Sequence, residues 1–155
     1  MSKGTAVTAF KDHTTINLSF LPVLTIAVYF QYGIETSMFL TIGFVFSTFL
    51  LNPDLDSSES ITYKNWFIVR GYWYPYTKTM SHSGSSHNLF GLLDCKRGWG
   101  HNEFVGTGLR LICASPLLTL NIWLKMNVTQ WLIIVAGIWI ADCLHILIDS
   151  FVHKN

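Results

Sequence analysis

The sequence predicts an all-α protein: a four-helix integral membrane bundle with a polar, aromatic-rich segment between helices 2 and 3. Three observations lead there. Half of the 155 residues are hydrophobic while only 12% are charged, about half the charged fraction of an ordinary soluble domain. The charge is also uneven, thin over residues 16–51 and 104–151 and concentrated between them. Finally, each thin block divides at a short polar break into two apolar runs. A chain of this length holds one hydrophobic core, so residues 1–155 are expected to form a single domain.

The first helix is expected over INLSFLPVLTIAVYFQYGI, residues 16–34, long enough to span a bilayer. Pro22 inside it should bend the helix, which neighbouring helices tolerate in a membrane. A break from Gly33 to Thr36, containing Glu35, leads to a second helix over residues 37–51. That run is short for a crossing and should stop at Asn52-Pro53, because proline restricts the residue before it. The third helix is expected over residues 104–124 and the fourth over 128–152, separated by Lys125–Asn127.

Residues 52–103 read differently, as turn formers mixed with aromatics. Trp66, Tyr72, Trp73, Tyr74 and Tyr76 suit a membrane–water boundary, where amphipathic rings collect. A buried aromatic patch in a lid is the alternative.

Two hairpins of crossing helices would leave both termini and the middle segment on one side. Lys3, Lys11, Lys64, Arg70, Lys78, Lys96, Arg97, Arg110 and Lys154 fall on that side, and Lys125 alone on the other. The positive-inside rule makes the basic side cytoplasmic. A net charge of +1 gives no reason to expect nucleic acid as a partner. Cys95, Cys113 and Cys143 form an odd set without CxxC spacing, which implies neither a disulfide framework nor a zinc ribbon. The polar start precedes an apolar run that lacks a small-residue cleavage site, so no removable signal peptide is expected.

The residues able to do chemistry gather on the basic side. Asp142, His145 and Asp149 recur at spacings that share one helical face, among Trp139, Leu144, Ile146 and Ile148. An aspartate at mid-membrane costs about 2.5–3.5 kcal/mol on insertion scales, so this stripe calls for a cation, a basic residue or a water-filled cavity. A helix end meeting water is the bland alternative. Asp54 and Asp56 follow Pro53 on a tight turn where both carboxylates could face one cation. His101 precedes the third helix and His13 the first; a lone histidine in either place is more often structural. Their shared location at converging helix ends is what suggests a metal centre, since bundle interiors commonly house one. His82 and His87 are alternative ligands in a stretch that reads as a solvated loop.

Imidazole and carboxylate donors without thiolate suit zinc, with manganese or iron as alternatives. A divalent cation could generate hydroxide near neutral pH and stabilise a phosphoryl transition state. Hydrolysis of a phosphoester or lipid-like substrate is then the expected chemistry, with Asp142 and Arg110 as catalytic candidates. Arg110 could equally pair with an acidic ligand or hold a phosphate in its planar fork.

The order of His13, the NPDLD turn, KRGWGHNEFVGTGLR and the closing HILID resembles a bacterial and cyanobacterial family of metal-binding proteins. That family is in turn similar to membrane-bound metal-dependent hydrolases. The resemblance implies His13, Asp54, Asp56, His101, His145 and Asp149 as the metal set. The chain departs from the family where Cys95-Lys96-Arg97 stands in place of a His-Arg pair. With that histidine missing, the rival expectation is a non-enzymatic membrane protein with a structural metal, as a homo-oligomer or a subunit of a membrane complex. The HxxxD spacing of His145 and Asp149 also fits a phosphatidic-acid-phosphatase-like enzyme, although that family's PSGH motif is absent. A soluble helical zinc phosphoesterase is a further alternative, since the second helix is short.

Overall fold

Asn17 and Thr48 lie 31 residues apart in the chain, yet their side chains meet at 3.3 Å. In a straight helix they would stand about 46 Å apart at 1.5 Å per residue. The chain therefore doubles back between them. In the computed structural model, which describes residues 3–56, 60–79, 103–114, 116 and 125–152, this hairpin forms the long element α1 (Lys3–Phe46). Its bend is Gly33, with φ 84° and ψ 177°, backbone that a residue with a Cβ adopts only under strain. Across the bend Thr25 and Thr41 hydroxyls meet at 3.0 Å, and Ser37 donates to the Thr25 carbonyl at 3.0 Å.

The expected first and second helices are thus the two arms of α1, with two differences. Helix begins at Lys3 rather than at residue 16, so His13 sits within the first arm instead of ahead of it. The second arm ends in a π turn, Ser47–Leu51, before the 3₁₀ turn Pro53–Asp56. Asn52 adopts extended backbone between them, the conformation that a following proline imposes.

The middle segment forms short helical turns up to residue 79: α2 (Ile61–Asn65), the 3₁₀ turn Phe67–Trp73 and α3 (Tyr74–Thr79). Ser60 caps α2 by accepting from the Tyr63 amide at 3.0 Å, a usual N-cap bond. The aromatic rings divide by exposure. Trp73 and Tyr76 are buried, whereas Tyr72 and Tyr74 are exposed. Trp66 and Trp73 pack with centroids 5.0 Å apart, and the Trp66 indole donates to the Leu50 carbonyl at 2.8 Å. Asn65 likewise donates to the Phe49 carbonyl at 3.0 Å, so the middle segment satisfies carbonyls at the end of the π turn.

The third helix is α4 (Glu103–Cys113), shorter than the expected 104–124; residues 117–124 lie outside the described part. The fourth is α5 (Val128–Val152), as expected. At its start the Gln130 amide donates to Asn127 Oδ1 at 2.8 Å and the Asn127 amide to Gln130 Oε1 at 2.9 Å, a reciprocal cap. Gln130 also donates to Glu35 at 2.8 Å, which ties the start of α5 to the hairpin tip.

The second arm of α1 and α5 cross closely. A Cβ at Gly43 would overlap the Ile134 backbone, and one at Gly137 the Leu40 carbonyl. Small residues at such a crossing let two backbones approach, as in membrane helix pairs. Around it Leu51, Leu55, Trp73, Tyr76, Ile134 and Ile138 form the apolar core. Among the described residues helix is the only regular secondary structure.

Candidate functional site

Two polar residues of α5 are enclosed by the fold. Asp142 and His145, one turn apart, are both buried. Asp142 accepts from the Ser47 hydroxyl at 2.5 Å through Oδ1. Its Oδ2 accepts from the Thr107 hydroxyl at 2.6 Å and from the Arg110 guanidinium at 2.5 Å. The same guanidinium nitrogen donates to Thr107 at 3.0 Å, and buried Tyr76 adds an electrostatic contact to Arg110. Side-chain exposure is 1% for Arg110 and 0% for Asp142. A buried charge is tolerated when paired and hydrogen-bonded, and both conditions are met. Of the two roles open to Arg110, its geometry is that of pairing with an acid.

One turn further along α5, the His145 ring lies on that of His13, with centroids 4.3 Å apart and planes inclined by 26°. Asp54, on the turn after the second arm, places Oδ1 at 3.6 Å from His145 Nε2. That separation is beyond a hydrogen bond but within the range of an ion pair. Both imidazoles are buried, and Asp54 retains 23% side-chain exposure. The only water-facing member of this trio is therefore the carboxylate.

Three expected ligands, His13, Asp54 and His145, thus lie together, drawn from α1, the 3₁₀ turn and α5. The side chains of Asp56, His101 and Asp149 lie outside the described residues, as do His82 and His87. Ser47 and Thr107 have a place in the network that residue type alone did not suggest. The faint signal for Thr107 was its i, i+3 spacing to Arg110 on one helical face.

The chain belongs to a family of uncharacterized metal-binding proteins (DUF2227), whose profile matches residues 9–124. No curated protein and no solved structure matches it. The matched stretch contains His13, Asp54, Asp56, His101 and Arg110, and ends before α5. The fold brings His145 back onto His13 from outside that stretch.

Two imidazoles and a carboxylate are donors that divalent zinc, manganese and iron accept, so the donor chemistry fits a metal. The ring orientation is not yet that of a complete shell. Stacked rings hold their in-plane nitrogen lone pairs in two neighbouring, nearly parallel planes. Among the described residues, no three His, Cys, Asp or Glu side chains converge closely enough to hold an ion.

Proposed function

We propose that the protein is an integral membrane metal-binding protein that holds a divalent cation, zinc or else manganese or iron, at His13, Asp54 and His145. Its activity is metal-dependent hydrolysis of a phosphoester or lipid-like substrate. The observation that carries this reading is the meeting of those three side chains from distant parts of the chain, in a member of a metal-binding family. Asp56, His101 and Asp149 are the proposed further ligands. A zinc ion there would supply a hydroxide near neutral pH and a Lewis acid for a phosphoryl oxygen.

Support for the membrane comes from length and from what the helices expose. Two stretches, His13–Leu55 and Val128–Ile148, are long and apolar enough to cross a bilayer, and less than half of the apolar 18-residue window in each is buried. The core helix of a soluble protein would be mostly buried. Val23, Phe30, Ile34, Met38, Ile42 and Leu132 are exposed, and large exposed apolar patches mark membrane or protein contact surfaces.

Helix rise sets the depth of the site. From Gly33 back to His13 is about 30 Å, and from Val128 to His145 about 26 Å, at 1.5 Å per residue. A hydrocarbon core is about 30 Å thick. With Glu35 and Gln130 at one surface, the histidines reach the opposite one, the proposed cytoplasmic face, at headgroup level. A phosphoester carried on a lipid would present its phosphate there.

The deciding experiment uses full-length protein in detergent. Metal content is measured by elemental mass spectrometry alongside phosphodiesterase and phosphatase turnover. Bound metal and turnover, both lost in His145→Ala, are expected. Metal without turnover on any phosphoester would leave the non-enzymatic reading, which the tight closure of Asp142 by its three donors favours. No bound metal would overturn the proposal.

A further inference from the structure

Asp142 has its carboxylate occupied by Ser47, Thr107 and Arg110, which leaves it poorly placed to act on a substrate. We propose that this clamp is instead a positioning device: it fixes the rotation of α5 and the approach of the Pro53–Asp56 turn, and so aims His145 and Asp54 at a common cation. The inference rests on the metal reading above and assigns Ser47 and Thr107 a role in it.

The clamp draws on three elements. Ser47 opens the π turn at the end of the second arm, Thr107 and Arg110 share one face of α4, and Asp142 belongs to α5. His145 follows Asp142 by three residues, about 60° round the helix. A helical side chain ends about 5–6 Å from the axis, so a 10° turn of α5 would move the imidazole by about 1 Å. Ligand geometry tolerates about 0.5 Å. Rotation of α5 must therefore be fixed, and the apolar core alone grips a helix less directionally than three hydrogen bonds to one carboxylate.

Ser47 also controls the other donor. Its π turn runs directly into Asn52 and the turn that bears Asp54, and Asn52 Nδ2 donates back to the Thr48 carbonyl at 3.2 Å. A π turn widens the helix and re-aims its side chains. Here it directs Ser47 at Asp142 while the adjacent Thr48 faces Asn17 of the first arm. One short segment thus links α5, the His13 arm and the Asp54 turn.

The test compares Thr107→Val, which keeps the shape and loses the hydroxyl, with Thr107→Ser, which keeps the hydroxyl. Full-length protein in detergent is titrated with Zn²⁺ against a chelator of known affinity. Separately, metal-free protein is treated with diethyl pyrocarbonate, and carbethoxylation of His13 and His145 is followed by mass spectrometry. Thr107→Val should weaken Zn²⁺ by about tenfold or more, the usual cost of removing a group that orients a ligand, and should speed modification of His145. Thr107→Ser should stay within about twofold of the parent in both, as expected when the donor is retained. If Thr107→Val does not fold, Ser47→Ala takes its place. Equal affinity and equal histidine reactivity in parent and Val variant would overturn the clamp. Should the parent bind no Zn²⁺, the metal reading fails, yet the histidine reactivities still decide the positioning role. Faster modification in the Val variant alone upholds it, and equal rates overturn it.

Discussion

His13 and His145 stack face to face, 4.3 Å between ring centroids, although one lies in the first arm of α1 and the other in α5. Because the rings touch, their contributions cannot be independent. Replacing either with alanine should lower the melting temperature of the detergent-solubilised protein, and the double variant should lose less than the sum. Ring pairs contribute about 0.5–1.5 kcal/mol beyond area burial, so a coupling of that order is expected. Additive losses in a double-mutant cycle would mean that the stack does not form in solution.

The Arg110–Asp142 pair makes a sharper statement about stability. Removing one member leaves the other buried and uncompensated, which costs about 3–5 kcal/mol. Asp142→Ala and Arg110→Ala should each be severely destabilised, visible as loss of folded protein on size-exclusion in detergent. Replacing both together with Leu and Met removes the unpaired charge, so the double variant should recover part of the loss. If it proves worse than both single variants, the pair is not what holds these helices together.

How much of this was legible beforehand depends on what each residue's neighbours in sequence reveal. The breaks at Gly33–Thr36 and Lys125–Asn127 were readable, because glycine and polar turn residues act locally. The stripe of Asp142 and His145 was readable too, since i, i+3 spacing on an apolar helix singles them out. The start of α1 was not. Residues 3–15 are polar, and hydropathy places the helix only where the apolar run begins; burial of His13 and Asn17 inside the fold is a tertiary fact. Ser47 was equally hidden. A hydroxyl in an apolar helix commonly bonds its own helix, as Thr48 does to the Phe44 carbonyl at 2.9 Å. Nothing local distinguishes Thr48 from Ser47, whose bond spans 95 residues. The short turns of residues 61–79 carry no periodicity to read, and are fastened by bonds from Asn65 and Trp66 to the π turn.

The crossing of α1 and α5 predicts opposite signs for glycine substitutions. At Gly43 and Gly137 an added methyl would strike backbone that has no freedom to move aside, and overpacking costs about 1–3 kcal/mol. At Gly108, within α4, a Cβ meets nothing, and alanine in a helix is favoured over glycine by about 0.5–1 kcal/mol. Gly137→Ala should melt lower than the parent and Gly108→Ala at or above it. Equal melting temperatures for the two variants would show that the helices are not in backbone contact.

The proposed membrane function carries an expected orientation. If the two arms of α1 and the later helices cross the bilayer, Gly33 and the Lys125–Asn127 turn share the far side, linked by Gln130 and Glu35. The basic residues and the histidine site then face the cytoplasm. Fusions in a bacterial host report this directly. Green fluorescent protein joined after Asn155 should fluoresce, and alkaline phosphatase joined there should be inactive. Joined after Met126, alkaline phosphatase should be active, because that point lies across the membrane. The reverse pattern would place the site on the outer face, and activity at neither point would mean that α1 and α5 bury their apolar surfaces within a soluble assembly instead.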